Sequence, residues 1–366
     1  MNKTSFSAFF FLIFLAGIAA AQEERLYEEG KKVKMPKYYK AWLPKKSIAV
    51  SDIQIVQAVP DSTQLGFLQK GMHNRKVAAI PAENLTALLQ NYITNQYEND
   101  YKKEGSRLLL VVKNLRINER TFFSAERAFA RLHADAYISK EGNLYSFLTS
   151  VDTVQVYGGI DVTSSHGENI AAALHKLIIQ SLNTAQSNSI LSQGIALDSV
   201  ISHTRKISLN PIQKASRYRE GVYLTFHEFL LNNPSLKNYK AEIESNGIAK
   251  IMAINTDSTK TDIQPWGLCN KGEIYKYHQN MLVAIEKYRG EFMISDYINK
   301  ADRRNRSLFA GAAVGGAIGG AVGGVIGSAF ANSEADRPYS VTAIPYITKK
   351  QPEASVIDMK TGEFTF

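Results

Sequence analysis

His227 and Glu228 stand side by side, as in the first half of the H-E-x-x-H helix that binds zinc and supplies a general base. The second imidazole would fall at position 231, where Leu231 stands. The preceding GVYLTF reads as a strand, with Val222, Leu224 and Phe226 on one face, so neither the ligand set nor its helix is expected. His166, Gly167 and Glu168 precede an amphipathic stretch, where capping and loop polarity account for them. No G-x-S-x-G elbow occurs, which leaves an α/β-hydrolase serine without support. Asp198, Asp257, Asp262 and Asp296 are scattered and define no carboxylate pair. Cys269 lies between apolar neighbours in WGLCNKG and is expected to be a buried small hydrophobe rather than a reactive thiol. No catalytic residue, cofactor-binding residue or metal ligand is assigned, no cofactor is expected, and the protein is not expected to be an enzyme.

The strongest pattern concerns packing, not reaction chemistry. Residues 308–331 read LFAGAAVGGAIGGAVGGVIGSAFA, with no charge and no Pro. Gly311, Gly315, Gly319, Gly323 and Gly327 recur every four residues, with Gly316, Gly320 and Gly324 in a second row beside them. Val314, Ile318, Val322 and Ile326 keep the same beat. This is a glycine zipper, in which small residues let helices approach closely. In water each glycine costs a helix roughly 1 kcal/mol against Ala, so the helix needs a partner helix or a membrane. The eight glycines are the expected helix-packing interface. As a helix the stretch covers about 35 Å, enough to cross a bilayer. The flanking charges oppose a simple stop-transfer span, since Arg303, Arg304 and Arg306 precede it while Glu334 and Asp336 follow. Two readings stay open: a helix or short helical hairpin that packs with copies of itself at or in the outer membrane, or a helix buried inside the fold.

The elements around this stretch set its context. The 366 residues carry a net charge of +9, which suits anionic surfaces such as phospholipid head groups. Met1 to Ala21 has the charged start, apolar core and small-residue cleavage site of a secretory signal peptide, so the mature chain is expected to begin near Gln22. Export removes nucleic acid as a partner. With one cysteine the chain has no internal disulfide. Residues 22–46 form a charged lead-in in which lysines interleave with Tyr38, Tyr39 and Trp42.

The expected fold class is α+β. An N-terminal α/β sandwich over 47–186 combines a mixed sheet with two helices on one face. Its strands are expected at Ser47–Val59, broken near Asp52, in RLLLVVKNLRINER, over 127–140 and in LYSFLTSVDTVQVYG. A turn-rich PDSTQLGF patch follows the first strand. One helix is expected from Pro81 to about Lys103 and another over Glu168–Ala185. A polar linker is placed at 187–216 and a second, β-rich domain at 217–300, with turns at Asn270-Lys271-Gly272 and Arg289-Gly290. The zipper segment occupies 307–331. Residues 332–366 carry strands at 339–347 and 355–366, with a turn at Lys360-Thr361-Gly362, and are expected to complete the second domain's sheet.

By element order and by the signal peptide directly before it, the first domain resembles the N-terminal domain of the translocation protein TolB and the auxiliary lipoproteins of ABC-type lipid transporters of Gram-negative bacteria. The auxiliary lipoproteins carry an acylated cysteine, which this chain lacks at its expected cleavage point. The zipper resembles those of outer-membrane lipoproteins and pore-forming oligomers. These resemblances imply a periplasmic or outer-membrane protein. The expected role is structural or in assembly, with association to a membrane, to itself or to an envelope protein partner. The alternative is a periplasmic ligand- or lipid-binding module of a transport system, which requires an apolar cleft beneath the two helices.

Overall fold

The computed structural model describes residues 30–40, 43–44, 48–59, 61–70, 75–121, 125–140, 142–187, 194–205, 209–244, 248–295 and 354–366. The chain divides into two compact units after Ile207. Both belong to the expected α+β class.

In chain order the first unit contains β1 (Lys31–Val33), β2 (Val50–Gln57), β3 (Gly66–Lys70), β4 (Arg75–Pro81) and α1 (Leu85–Tyr97). Then come β5 (Ser106–Thr121), β6 (Glu126–Ser139), β7 (Leu144–Gly159), α2 (His166–Ser187), β8 (Ile195–Ala196) and α3 (Leu197–Arg205). The strands form one mixed sheet in the order β1-β4-β3-β5-β6-β7-β8. β2 and β3 lie one after the other along the same side of β5, pairing with its first and last parts, Val50–Gln57 with Ser106–Val112 and Gly66 with Ile117. The expected break near Asp52 is a register shift between Val50 and Asp52.

Alternation on the long strands decides what faces the helices. Leu108, Leu110, Val112, Leu115 and Ile117 of β5 and Ala130, Leu132, Ala134, Ala136 and Ile138 of β6 form one apolar face. α1 and α2 cover that face with Leu85, Leu89, Ile93, Ile170, Leu174, Leu177, Ile178 and Leu182, all essentially solvent-free. Each such aliphatic side chain contributes roughly 1.5–3 kcal/mol of burial. The small alanines of β6 let α2 sit close. Gln90 of α1 works as a substitute strand, its amide accepting from Ile55 N–H at 2.8 Å and donating to Ile53 C=O at 3.0 Å on the edge of β2 away from β5.

Several expectations are corrected. α1 begins at Leu85, not Pro81, because the Asn84 side chain accepts from the N–H groups of Thr86 and Ala87 and so satisfies first-turn donors. Pro81 is the last residue of β4. The turn-rich patch leads into a strand pair, β3 against β4, that the composition disguised. The lead-in contributes β1, parallel to β4, with Val33 buried. The polar 187–216 stretch holds β8 and α3, and α3 packs Val200 against Val56, Leu109, Val111 and Tyr145 on the other face of the sheet.

The second unit runs α4 (Pro211–Lys214), β9 (Gly221–Tyr223), α5 (Phe226–Leu230), β10 (Tyr239–Ile243), β11 (Ala249–Ile254), β12 (Lys260–Ile263), β13 (Gly267–Asn270), β14 (Glu273–His278), β15 (Met281–Tyr288), β16 (Glu291–Ile294), β17 (Val356–Ile357) and β18 (Phe364–Thr365). β10, β11 and β12 form a small antiparallel sheet, and the rest form a seven-stranded sheet in the order β18-β17-β16-β15-β14-β13-β9. Ala249 and Ile251 of the small sheet pack on Val222, Leu268, Tyr275 and Leu282 of the large one. Leu224 and Phe226 do not extend β9. Thr225 Oγ1 accepts from Glu228 N–H and starts α5 at Phe226. The final strands join the large sheet through Met293 opposite Val356. The stretch at 339–347 lies outside the described residues.

Candidate functional site at the mouth of the insertion

β16 and β17 are neighbours in the sheet but are separated in sequence by residues 295–355. Ile294 N–H donates to Ser355 C=O at 2.8 Å, and Ser355 N–H donates to Thr365 C=O at 2.8 Å. Ser295 and Ala354, where the described chain departs and returns, are both buried. The insertion therefore starts and finishes at one place on one sheet. Gly311, Gly315, Gly316, Gly319, Gly320, Gly323, Gly324 and Gly327 all belong to it and lie outside the described residues.

The hairpin that receives the returning chain is locked onto the sheet by aromatic and charged contacts. β14 alternation puts Lys276 on the face opposite Tyr275 and Tyr277, and its side chain is 4% exposed. Its ammonium lies 4.9 Å from the Trp266 ring centroid and 5.6 Å from that of Phe364, with Glu363 Oε1 at 3.8 Å. Trp266 Nε1–H donates to Gly362 C=O at 3.1 Å. Gly362 has φ +76°, and a Cβ there would fall 2.5 Å from Phe226 Cγ, so the turn must carry glycine to seat on the ring. Phe229 stacks on Trp266 at 4.1 Å and meets Phe292 edge-on at 5.0 Å. Desolvation lowers the Lys276 pKa against a smaller opposing effect of Glu363. Burial, then the charge of Lys276, lowers that of His278, whose ring meets Phe364 edge-on at 5.1 Å. This arrangement clamps the end of the chain. It offers a cation in an aromatic setting.

A second polar cluster is buried in the first unit. His166 is the first residue of α2, not a loop residue, and its Nε2 lies 2.8 Å from Glu119 Oε1, with both side chains 1% exposed. The other carboxylate oxygen accepts from Gln69 N–H on β3. Against the carboxylate Nε2 carries a hydrogen and donates, and Nδ1 has no hydrogen-bond partner. Glu119 thus ties β3, β5 and the start of α2 together. Sequence reading passed over Glu119. Its signal is a carboxylate that follows Leu115 and Ile117 on the core-facing side of an alternating strand.

The remaining candidates do not converge. Glu228 accepts from Leu224 N–H at 2.9 Å and from Ser235 N–H and Oγ–H at 3.2 and 3.0 Å, which makes it a cap. Asp257 accepts from Thr259 N–H and Oγ1–H in its own turn. Asp198 sits in the first turn of α3, Asp262 lies on β12, and Asp296 lies outside the described residues. Cys269 is fully buried, and burial pushes its thiol up to about 12, the state of an unreactive core residue. Among the described residues no cluster of three His, Cys, Asp or Glu could hold a metal.

No family model matches the chain, and no curated protein matches it. Among solved structures, the crystal structure of protein XCC0632 from Xanthomonas campestris, described with the family model DUF330, is distantly similar. The match covers 44% of this chain and 98% of that one, at 12% identity and a TM-score of 0.30.

Proposed function

We propose that this is an exported cell-envelope protein with a structural or assembly role, which associates with a membrane or with copies of itself through its glycine zipper. The observation that carries the reading is the Ile294–Ser355 contact. The zipper belongs to an insertion between the adjacent strands β16 and β17, and an insertion that leaves and returns at one junction keeps both its ends on the same side of any membrane. That supports a lateral helix or helical hairpin over a single crossing. Among the described residues no helix is long and apolar enough to span a bilayer. The signal-peptide pattern supports export, and the glycine rows support close helix contact.

The alternative, a periplasmic ligand- or lipid-binding module as its resemblance to transporter auxiliary lipoproteins implies, needs an apolar cleft under α1 and α2. That interface is filled by side chains with almost no exposure. A depression along α2 is lined by His175, Lys176, Ile179, Gln180, Asn183, Thr184 and Ser187, on the outward side of the helix rather than beneath it.

Cell fractionation with detergent extraction tests the proposal. The mature chain is expected with the membranes, as an oligomer that Gly319→Leu together with Gly323→Leu disperses. Recovery wholly in the soluble periplasm, or an oligomer indifferent to both leucines, overturns it.

A further inference from the structure

β7 pairs with β6 from Ser146 to Gly159, with a bulge at Leu148, but with β8 only at Leu144 and Tyr145. Among the described residues nothing pairs with its other edge from Phe147 onward. Such an edge offers a row of backbone donors and acceptors to another strand. Soluble proteins blunt long edges with Lys, Pro, bulges toward the edge or a covering segment. Between Leu144 and Ile160 this strand has no Lys, no Arg and no Pro, and one charged residue, Asp152. The Asp152 charge is matched on the neighbouring strand, where Arg131 Nε and Nη2 donate to its two oxygens at 2.9 and 2.6 Å. Beside the edge, Lys176 of α2 donates to Thr153 Oγ1 at 2.9 Å, and each face carries exposed apolar side chains among polar ones. Val154 and Val156 stand out on one face at 42% and 51% exposure, and Tyr157 on the other at 46%.

We propose that this edge is an interface at which β7 pairs antiparallel with β7 of a second copy of the chain, extending both sheets into one. The occupant follows from self-complementarity. A two-fold axis through an antiparallel pair sets one residue opposite itself. An axis at Asp152 would set two carboxylates face to face, which disfavours pairing. An axis at Val154 puts Val154 on the same residue of the second copy, Thr153 opposite Gln155 and Val151 opposite Tyr157. At these positions polar meets polar and apolar meets apolar, while Asp152, held by its own Arg131, faces Val156. In this register the strand's own alternation of polar and apolar residues fits itself. The interface lies in the first unit and does not depend on the zipper.

The experiment is sedimentation equilibrium on the mature chain carrying Gly319→Leu and Gly323→Leu, which removes zipper packing from the readout. A dimer is expected. Adding Val154→Lys sets two ammonium groups together and is expected to weaken the dimer at least tenfold, as is Val154→Glu. Mixing the Lys and Glu variants is expected to restore a dimer, because opposite charges then meet at the axis. Val154 is exposed, so circular dichroism should show all variants folded. In the chain without leucine substitutions, Val154→Cys is expected to form a disulfide-linked dimer on mild oxidation, since the native Cys269 is buried. A monomer in the leucine background, a dimer unmoved by Val154→Lys, or a folded Val154→Cys protein that does not cross-link each overturns the proposal. None of these outcomes bears on whether the zipper itself associates.

Discussion

Ile294 and Ser355 are joined by a 2.8 Å backbone hydrogen bond although some sixty positions separate them in the chain. A sheet that closes at the base of an insertion does not need the insertion in order to fold. Only the two strand ends must meet, and loop-closure entropy grows slowly with length.

Replacing residues 300–350 with a short Gly-Ser connection should therefore leave the second unit folded. Each halving of the loop favours folding by about 0.6 kcal/mol, so stability should hold or rise slightly. Urea unfolding followed by Trp266 fluorescence checks this, because that ring stacks on Phe229 only in the folded sheet. Loss of a cooperative transition would show that the insertion is part of the fold. The same deletion should abolish membrane association, if the zipper is the contact.

Much of this architecture was legible in the sequence, and the gaps have physical causes. The long strands β5, β6 and β7 and helix α2 announce themselves because one face of each is apolar at the right period. β3 and β4 do not, because a short strand pair beside Pro60, Asp61 and Ser62 carries more turn signal than strand signal. Pro81 misled for a related reason. Proline suits the start of a helix and also the end of a strand, and only Asn84 with its two acceptor bonds decides between them. Phe226 alternates with Val222 and Leu224 as in a strand, yet Thr225 and Glu228 spell the S/T-x-x-E helix start. Glu119 and His166 lie 47 positions apart, and nothing local says that the fold brings them within 2.8 Å. The zipper glycines were the clearest pattern of all, and they lie outside the described residues.

The Glu119–His166 pair should be a strong determinant of stability in the first unit. Removing one member of a buried charged or hydrogen-bonded pair typically costs about 3–5 kcal/mol, because the survivor is left without a partner. His166→Ala should lose that much in chemical denaturation. His166→Gln should lose far less, about 1 kcal/mol, because its amide nitrogen can donate from the place of Nε2. Equal losses for the two variants would mean that ring packing, not the bond to Glu119, matters.

Gly167 is a question of space. A Cβ there would lie 2.1 Å from the Lys34 carbonyl oxygen, so the start of α2 and the lead-in touch backbone to backbone. Gly167→Ala should push the lead-in away and cost about 1–3 kcal/mol. Hydrogen exchange locates the damage. The Ala82 amide, which donates to Val33 C=O at 2.9 Å, should lose protection, while amides in the centre of β6 keep theirs. Unchanged exchange at Ala82 would mean that β1 does not depend on this contact.

Lys276 makes the second unit sensitive to alkali in a direction that can be worked out. Desolvation depresses its folded pKa below the ordinary 10.5. Between the folded and unfolded values the unfolded chain holds the extra proton, so this group raises stability as pH rises through that window and withdraws it as pH falls. Other groups act oppositely. Burial raises the pKa of Tyr223 and Tyr277 and takes Cys269 to about 12, so their ionisation in the unfolded chain erodes stability above about pH 9. The difference between wild type and Lys276→Met isolates the lysine. At neutral pH the methionine variant should be equal in stability or up to about 2 kcal/mol more stable, since an apolar group replaces a buried ion. That advantage should shrink steadily toward pH 10. Glu363→Gln should cost no more than about 1 kcal/mol, because Glu363 is 65% exposed and water screens its pairing with Lys276. A wild-type-minus-methionine difference that stays flat from pH 7 to about 10 would falsify the desolvated lysine, because only a group whose proton affinity changes on folding can give it a slope.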